Sequence, residues 1–307
     1  MNRFRTGIAV LLLCAGPLLA ENITIASFNV RIFSSNSRTD TELEQIADRL
    51  QQFDVIALQE INEQEVVDRT LAILQRRDLP YRAIASADVG RNTADERYAF
   101  FWRTDRVAHL GTLGFWPDAN DVFIREPFAA TFQAGSFDFT LLTIHAIYGD
   151  TVGDRRAEAG WLDEVYSWTR EADSAEQDVI LLGDFNLPSD DRGFDILRTF
   201  LFPIFDGEAQ TTIADNTLDN IWIDQQQTLE WTGEIGIDRF DETVFGGDDK
   251  AASLAVSDHR PIWAVFNIDG PDDDGPGGPT AVEFKAWGDI KHHHFVKKIL
   301  YFWVPNK

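Results

Sequence analysis

The sequence predicts an α/β protein built in layers, and three observations carry that prediction. Val55-Ile56-Ala57-Leu58 and Val179-Ile180-Leu181-Leu182 are short, continuous apolar runs with the length of strands buried on both faces. Between such runs lie stretches whose apolar residues recur every three or four positions, as on the inner face of a helix. Alternating segments of these two kinds stack helices onto sheets around a shared core. The chain has 307 residues, 44% hydrophobic and 12% aromatic, enough to fill one large domain.

Taken in order, residues 23–28 begin with period-two alternation and form a predicted strand. Leu43, Ile46, Ala47 and Leu50 follow at helical spacing, with Thr41 and Glu44 placed as a capping box. The strand at 55–58 leads to a second helix marked by Val66, Val67, Thr70, Leu71 and Leu74. Residues 98–102 and 139–144 are further strands. Ala157, Trp161, Val165 and Trp168 define one face of a single helix between Arg155 and Glu171. The strand at 179–182 follows, and residues 262–266 close the main domain. His109 sits in a polar stretch and is expected at the surface.

The ends differ from the middle. Arg3 and Arg5, an apolar run at 8–13 and Leu18-Leu19-Ala20 ahead of Glu21 have the layout of a signal peptide over residues 1–20. Export to a periplasm or to the medium is therefore expected. The domain then covers 21–268, followed by a linker at 269–279 made only of Asp, Gly and Pro. A tail at 280–307 holds five lysines against Glu283 and Asp289, with His292-His293-His294 and an aromatic Tyr301-Phe302-Trp303. Such a tail suits either a membrane-surface contact or, more commonly, a plain extension. No obligate protein partner is indicated. Cys14 is the only cysteine and lies in the expected leader, so disulfides, thiol chemistry and a thiolate-rich zinc site are excluded from the mature chain. The formal charge is −24, or −26 without the two leader arginines. That field repels nucleic acid at long range, so a nucleic-acid substrate requires local basic residues and a divalent cation.

Polar residues at strand ends carry the chemistry. Gly183-Asp184-Phe185-Asn186 follows a buried strand, and its carboxylate and amide suit water and phosphate; alone, the segment equally describes an Asx turn. Ser257-Asp258-His259-Arg260-Pro261 sets Asp beside His just ahead of the last strand, fitting a general base or phosphate ligand and a metal-holding carboxylate. His145 ends the strand at 139–144. Two histidines at two strand ends suit acid–base work on a phosphodiester, although a single one is more often a satisfied core residue. Each imidazole needs an orienting carboxylate, and Glu96 and Asp219 are candidates. Glu60 follows the strand at 55–58 as a hard oxygen ligand suited to Mg²⁺ or Mn²⁺. Arg125, in Arg125-Glu126-Pro127, offers a guanidinium for bidentate phosphate contact.

In their order, Phe28-Asn29-Val30, Leu58-Gln59-Glu60-Ile61, Ile144-His145, Gly183-Asp184-Phe185-Asn186 and Ser257-Asp258-His259 resemble the motifs of the endonuclease/exonuclease/phosphatase superfamily. Gly90-Arg91-Asn92, Glu96-Arg97-Tyr98 and Arg125-Glu126-Pro127 resemble its deoxyribonuclease I branch. The likeness runs from about residue 23 to residue 266. It implies a four-layer sandwich of two packed, mixed but mostly antiparallel sheets flanked by helices. It also implies roles: Glu60 on the catalytic metal with Asn29 and Asp258 nearby, and Asp184 and Asn186 positioning water and phosphate. His145 would be general acid oriented by Glu96, His259 general base oriented by Asp219, these two roles being exchangeable, and Arg125 would hold a flanking phosphate. Loop-bound structural Ca²⁺ near Glu126 or Glu208 is compatible with the match.

Two positions depart from the branch. Asn62 stands where a basic residue often enters the minor groove, and Ala94 where an aromatic often lies. Both weaken the grip on duplex DNA. The expected activity is an exported endonuclease that cuts DNA without strong sequence preference, with RNA as a second candidate substrate. Arg31, Arg91, Arg97 and Arg125 are candidates for a phosphate track. A phosphatase or phospholipase of the same superfamily, of sphingomyelinase or inositol-phosphate type, is the alternative. A catalytically silent binding or toxin-like module is a third, disfavoured because both histidines and their expected carboxylates are present.

Overall fold

Strands that are apolar on both faces need cover on both sides, and that requirement organises the molecule. The structure is a computed structural model that describes residues 21–91, 95–172 and 177–270. The expected leader, nearly all of the linker, the tail, Asn92 and Ala94 lie outside the described residues.

The chain runs through β1 (Asn22–Phe33), α1 (Asp40–Leu50), β2 (Val55–Ile61), α2 (Gln64–Arg76), β3 (Tyr81–Ala85), β4 (Arg97–Arg103), β5 (Ala108–Phe115), β6 (Phe128–Ala134) and β7 (Phe137–His145). It continues through α3 (Val152–Ala159), α4 (Leu162–Ala172), β8 (Val179–Asp184), β9 (Phe202–Pro203), β10 (Asp219–Ile223), β11 (Trp231–Ile237), α5 (Phe240–Thr243), α6 (Asp249–Ala255) and β12 (Ile262–Asn267). Two six-stranded sheets result, ordered β11-β12-β1-β2-β4-β3 and β5-β6-β7-β8-β10-β9. Each has one parallel pair at its centre, β1 with β2 and β7 with β8, and is otherwise antiparallel.

Alternation along the strands sends one set of side chains between the sheets. Ile25, Phe100 and Trp102 of the first sheet meet Phe132, Phe139 and Leu182 of the second in a shared core. The opposite face of the first sheet packs on α1, α2 and the α5–α6 region through Leu43, Ile46, Val67, Leu74 and Phe240. The outer face of the second packs on α4 through Leu162, Val165 and Tyr166. The helix–sheet–sheet–helix order is the four-layer sandwich expected from the resemblance.

Several local expectations need correction. The capping box of α1 is Thr39 with Glu42, two residues before Thr41 and Glu44. Both pairs have the same spacing, and a buried contact chooses between them. The Arg38 guanidinium is buried and donates to the carbonyls of Val30 at 2.8 Å, Leu254 at 2.9 Å and Val256 at 3.1 Å, which fixes the backbone just ahead of Thr39. The single helix expected over 155–171 is two helices, broken at Gly160, which caps α3. Glycine inside a helix costs about 1 kcal/mol relative to alanine, so a break there is cheap. The buried face accordingly shifts to Leu162, Val165, Tyr166 and Thr169, and Ala157 is exposed. His109 is half-buried rather than a surface residue, with its ring 5.4 Å from those of Trp102 and Phe132. The strands β5 and β11 escape periodicity because glycines and register shifts interrupt them.

Candidate active site

Parallel neighbours end at the same sheet edge, so residues at their C-terminal ends converge. The two parallel pairs of this fold bring four strand ends to one place. In the second sheet, His145 of β7, Asp184 of β8 and Asp219 of β10 are direct cross-strand neighbours. From the first sheet, Asn29 of β1 donates through Nδ2 to Asp184 Oδ2 at 3.0 Å and to Glu60 Oε1 at 3.0 Å. Gln59, one residue earlier on β2, ties the sheets together behind this contact by donating to Thr143 Oγ1 at 2.9 Å and Ser27 Oγ at 3.2 Å.

Asp184 is the centre of the arrangement and is buried. Its Oδ2 lies 3.7 Å from Nε2 of His145 and 3.7 Å from Nε2 of His259. That is beyond direct hydrogen-bond distance, so neither Nε2 is bonded to Asp184. Each imidazole is held from behind. Nδ1 of His145 is 2.7 Å from Glu96 Oε2, and Nδ1 of His259 is 2.9 Å from Asp219 Oδ2. Asp219 is itself fixed by the hydroxyl of Thr211 at 2.7 Å. The backbone N–H of Asn186 donates to Asp184 Oδ1 at 2.9 Å, and its side-chain amide donates to the carbonyl of Ala146 at 2.8 Å.

The backbone is strained where these groups gather. Arg31, Ile32, Glu60 and Asn186 all have positive φ, at 44°, 47°, 62° and 51°. Such conformations cost non-glycine residues roughly 1–3 kcal/mol each and persist only where surrounding contacts hold them. Those contacts are present here. Asn29 Oδ1 accepts from the N–H of Arg31 at 2.9 Å, and Glu60 Oε2 accepts from the N–H of Ile32 at 2.8 Å. The side chain of Asn29 therefore turns its NH₂ to the carboxylates and its oxygen to the backbone.

Charge in this pocket favours protonated imidazoles. Burial opposes the imidazolium of His259, but Asp219, Asp184 and Asp258 outweigh it and raise its pKa to about 10. Burial and the nearby Asp184 also raise Asp219. The histidine keeps the shared proton, since it has several carboxylates around it while Asp219 also receives the Thr211 hydroxyl. For His145, burial and Arg125 work against the charged form, yet Glu96 and Asp184 prevail and the pKa rises.

Arg125 is buried and braces this histidine. It donates from Nε to the carbonyl of His145 at 3.1 Å and from Nη2 to that of Ala146 at 3.3 Å, and its Nη1 lies 3.4 Å from Glu96 Oε1. Glu158 of α3 secures the same region. It is buried and accepts from the N–H of Ile124 at 2.7 Å and of Ile147 at 2.6 Å, so the loops carrying Arg125 and His145 hang on one carboxylate. Burial raises its pKa. Sequence reasoning overlooked Gln59, Thr211 and Glu158. Glu158 had a signal, because it shares the helical spacing of Leu162, Val165 and Thr169 and is a charge on an apolar face.

Asp258 is half-exposed and pairs with Arg31 at 3.6 Å. The four arginines considered as a phosphate track are already engaged: Arg31 with Asp258, Arg91 with Asp121, Arg97 with Asp88 and Arg125 with Glu96. They do not form a line of free cations. The donor set suits a hard divalent ion, since Glu60, Asp184 and Asp219 are oxygen ligands on one pocket. Among the described residues, Asp184, Asp219 and His259 offer ligand atoms within 4.8 Å of one another, and no second group of this kind occurs.

Fold and site together mark a hydrolase acting on phosphoester bonds. Comparison supplies the family: the chain belongs to the Endonuclease/Exonuclease/phosphatase family, whose model matches residues 26–259. A deoxyribonuclease of Thioalkalivibrio sp. (strain K90mix) is 32% identical over 283 residues, covering 87% of this chain and 77% of that protein. Deoxyribonuclease-1 of Sus scrofa is 34% identical over 188 residues, 57% of this chain and 64% of its own length, just under two thirds. Among solved structures, a mannosyl-6-phosphatase of Bacteroides thetaiotaomicron VPI-5482 matches with a TM-score of 0.53 and 17% identity over 79% of this chain and 98% of that one. At that identity the likeness is one of fold.

Proposed function

We propose that this chain is an exported, metal-dependent endonuclease that hydrolyses DNA with little sequence preference. One observation carries the chemistry: two imidazoles, each backed by a carboxylate, have their Nε2 atoms 3.7 Å from the same oxygen of Asp184. This arrangement suits in-line hydrolysis of a phosphodiester. His259, in its neutral form, takes a proton at Nε2 from the attacking water as a P–O bond forms. His145 gives its proton to the leaving oxygen as the opposite P–O bond breaks. Asp219 and Glu96 hold the two rings in orientation, and the two roles exchange without altering the balance. Asp184 and Asn186 position water and phosphate, while Arg125, expected from the sequence to hold a flanking phosphate, is buried against Glu96 and the carbonyls of His145 and Ala146 and instead braces the His145 ring. Glu60, with Asn29 orienting it and Asp258 beside the pocket, would hold Mg²⁺ or Mn²⁺. When bound, such an ion would supply positive charge beside the phosphate and the carboxylates, favouring the neutral His259 that the base role requires. DNA as substrate is supported by the two relatives named as deoxyribonucleases. Little sequence preference follows from contacts that address phosphate rather than base edges. Structural Ca²⁺ near Glu126 or Glu208 belongs to the same proposal, as does removal of a leader ending at Ala20.

A supercoiled-plasmid nicking assay tests this directly. Nicking is expected with Mg²⁺ and not with EDTA, and His145→Ala and His259→Ala should each lose roughly 10²–10⁴-fold in rate. Full activity in both variants overturns the mechanism. Intact plasmid alongside hydrolysis of sphingomyelin or an inositol phosphate moves the chain to the phosphatase or phospholipase reading. Fractionation of cells, with N-terminal sequencing expected to begin at Glu21, tests export.

A further inference from the structure

Tyr148 is the most exposed aromatic residue noted among the described residues, at 62%, and it stands three residues after His145. Three residues reach at most about 10 Å, so the ring lies on the rim of the active site. Arg155 holds it there. The guanidinium carbon is 3.8 Å from the centre of the Tyr148 ring, Nε donates to the Tyr148 carbonyl at 2.5 Å, and Nη1 donates to the Asn186 carbonyl at 3.3 Å. The pair therefore bridges the loop after β7 to the loop after β8, and both loops carry site residues. Unlike Arg31, Arg91, Arg97 and Arg125, Arg155 makes no ion pair with a carboxylate among the described residues. It is a cation beside the cleft with no directly paired carboxylate, the neighbouring Asp154 feeling its charge only at longer range, in a strongly acidic molecule.

An open aromatic ring braced by a guanidinium that no carboxylate pairs directly has the chemistry of a single-strand nucleic-acid platform, where a base stacks on the ring and the adjoining phosphate meets the cation. A base within a duplex is already stacked and does not present its face. On the first-sheet side of the cleft, Asn62 is uncharged and gives little purchase on a groove. We propose that Tyr148 and Arg155 form a subsite for an unpaired base and its phosphate, so that the enzyme cuts single-stranded or locally unpaired DNA in preference to duplex. The preference rests on the nuclease reading above, whereas binding at the subsite does not.

Two measurements on the full chain separate these. The first compares kcat/KM with Mg²⁺ on a single-stranded oligonucleotide and on its duplex, for the unsubstituted protein, Tyr148→Ala, Tyr148→Phe and Arg155→Gln. Tyr148→Ala should lose about tenfold or more on the single strand, at least fivefold more than on the duplex, and Tyr148→Phe should retain most activity. Equal losses on both substrates, or none, overturn the proposal. The second measures Kd for an oligothymidylate by fluorescence polarisation in EDTA, without cleavage. Tyr148→Ala should weaken binding about tenfold, and Arg155→Gln should reduce the slope of log K against log salt by about 0.7. Unchanged Kd and slope overturn the subsite. If the protein cleaves no nucleic acid yet Tyr148→Ala weakens binding, the nuclease reading fails and the subsite stands.

Discussion

A single carboxylate oxygen on Asp184 lies 3.7 Å from each of two imidazoles, and it joins Asp219 and Glu96 in setting their ionisation. His259 has its pKa raised to about 10 from an ordinary 6.5 by Asp219 and Asp184, against the opposing effect of burial. A histidine raised in this way stabilises the fold in its charged form. In metal-free protein that contribution is complete below about pH 6.5 and is lost as pH rises through about 10. The urea midpoint should accordingly fall between pH 6.5 and 10, more steeply for the unsubstituted protein than for Asp219→Asn. Parallel pH profiles for the two would mean that Asp219 does not hold the proton on His259. The two histidines were legible in the sequence because only six occur and three of those are adjacent in the tail, leaving few places for imidazole chemistry. Gln59 and Glu158 were harder to see. They touch backbone or hydroxyl groups that only a folded chain brings near, and a polar residue in an apolar run has no chemistry until its partner is known.

The two central strands of each sheet run parallel, and their close approach puts demands on single residues. Gly183 of β8 has φ +144°, and a Cβ there would lie 2.0 Å from the Ile144 carbonyl oxygen and 2.9 Å from its nitrogen. Gly183→Ala should force β7 and β8 apart where His145 and Asp184 face each other, costing at least ~2 kcal/mol together with most of the activity. Equilibrium urea unfolding reads the first effect and plasmid nicking the second. Native stability in this variant would mean that the strands are not clamped there. At this scale the sequence was read well where apolar runs are unbroken, as in β2, β7 and β8, and less well where tertiary contacts choose between equal local signals. Buried Arg38 selects Thr39 over Thr41 as the cap of α1, and Gly160 breaks one expected helix into two.

The whole molecule carries −24 formal charges, a field that opposes the approach of any polyanion. All four arginines that the sequence offered as a phosphate track are spent on neighbouring carboxylates, so they do not offset long-range repulsion with a free basic surface. At fixed divalent ion, the initial rate on DNA should rise as monovalent salt goes from about 10 to 100 mM, since the Debye length shrinks from roughly 30 to 10 Å and screens that repulsion. A steep fall over the same range would reveal a basic surface that dominates association.

The sequence by itself determined the layered α/β class, the order of the motifs and which residue types stand at the ends of the central strands. These are local properties, written in periodicity and in the residues that follow each apolar run. The tertiary structure alone decided that four strand ends from two sheets meet at Asp184 and that the candidate phosphate-binding arginines are already paired, while the pairing of Glu96 with His145 and of Asp219 with His259, implied by the resemblance, received its geometry there. Each of these joins residues far apart in the chain, and pairing at that distance is set by sheet order and register, to which periodicity is blind.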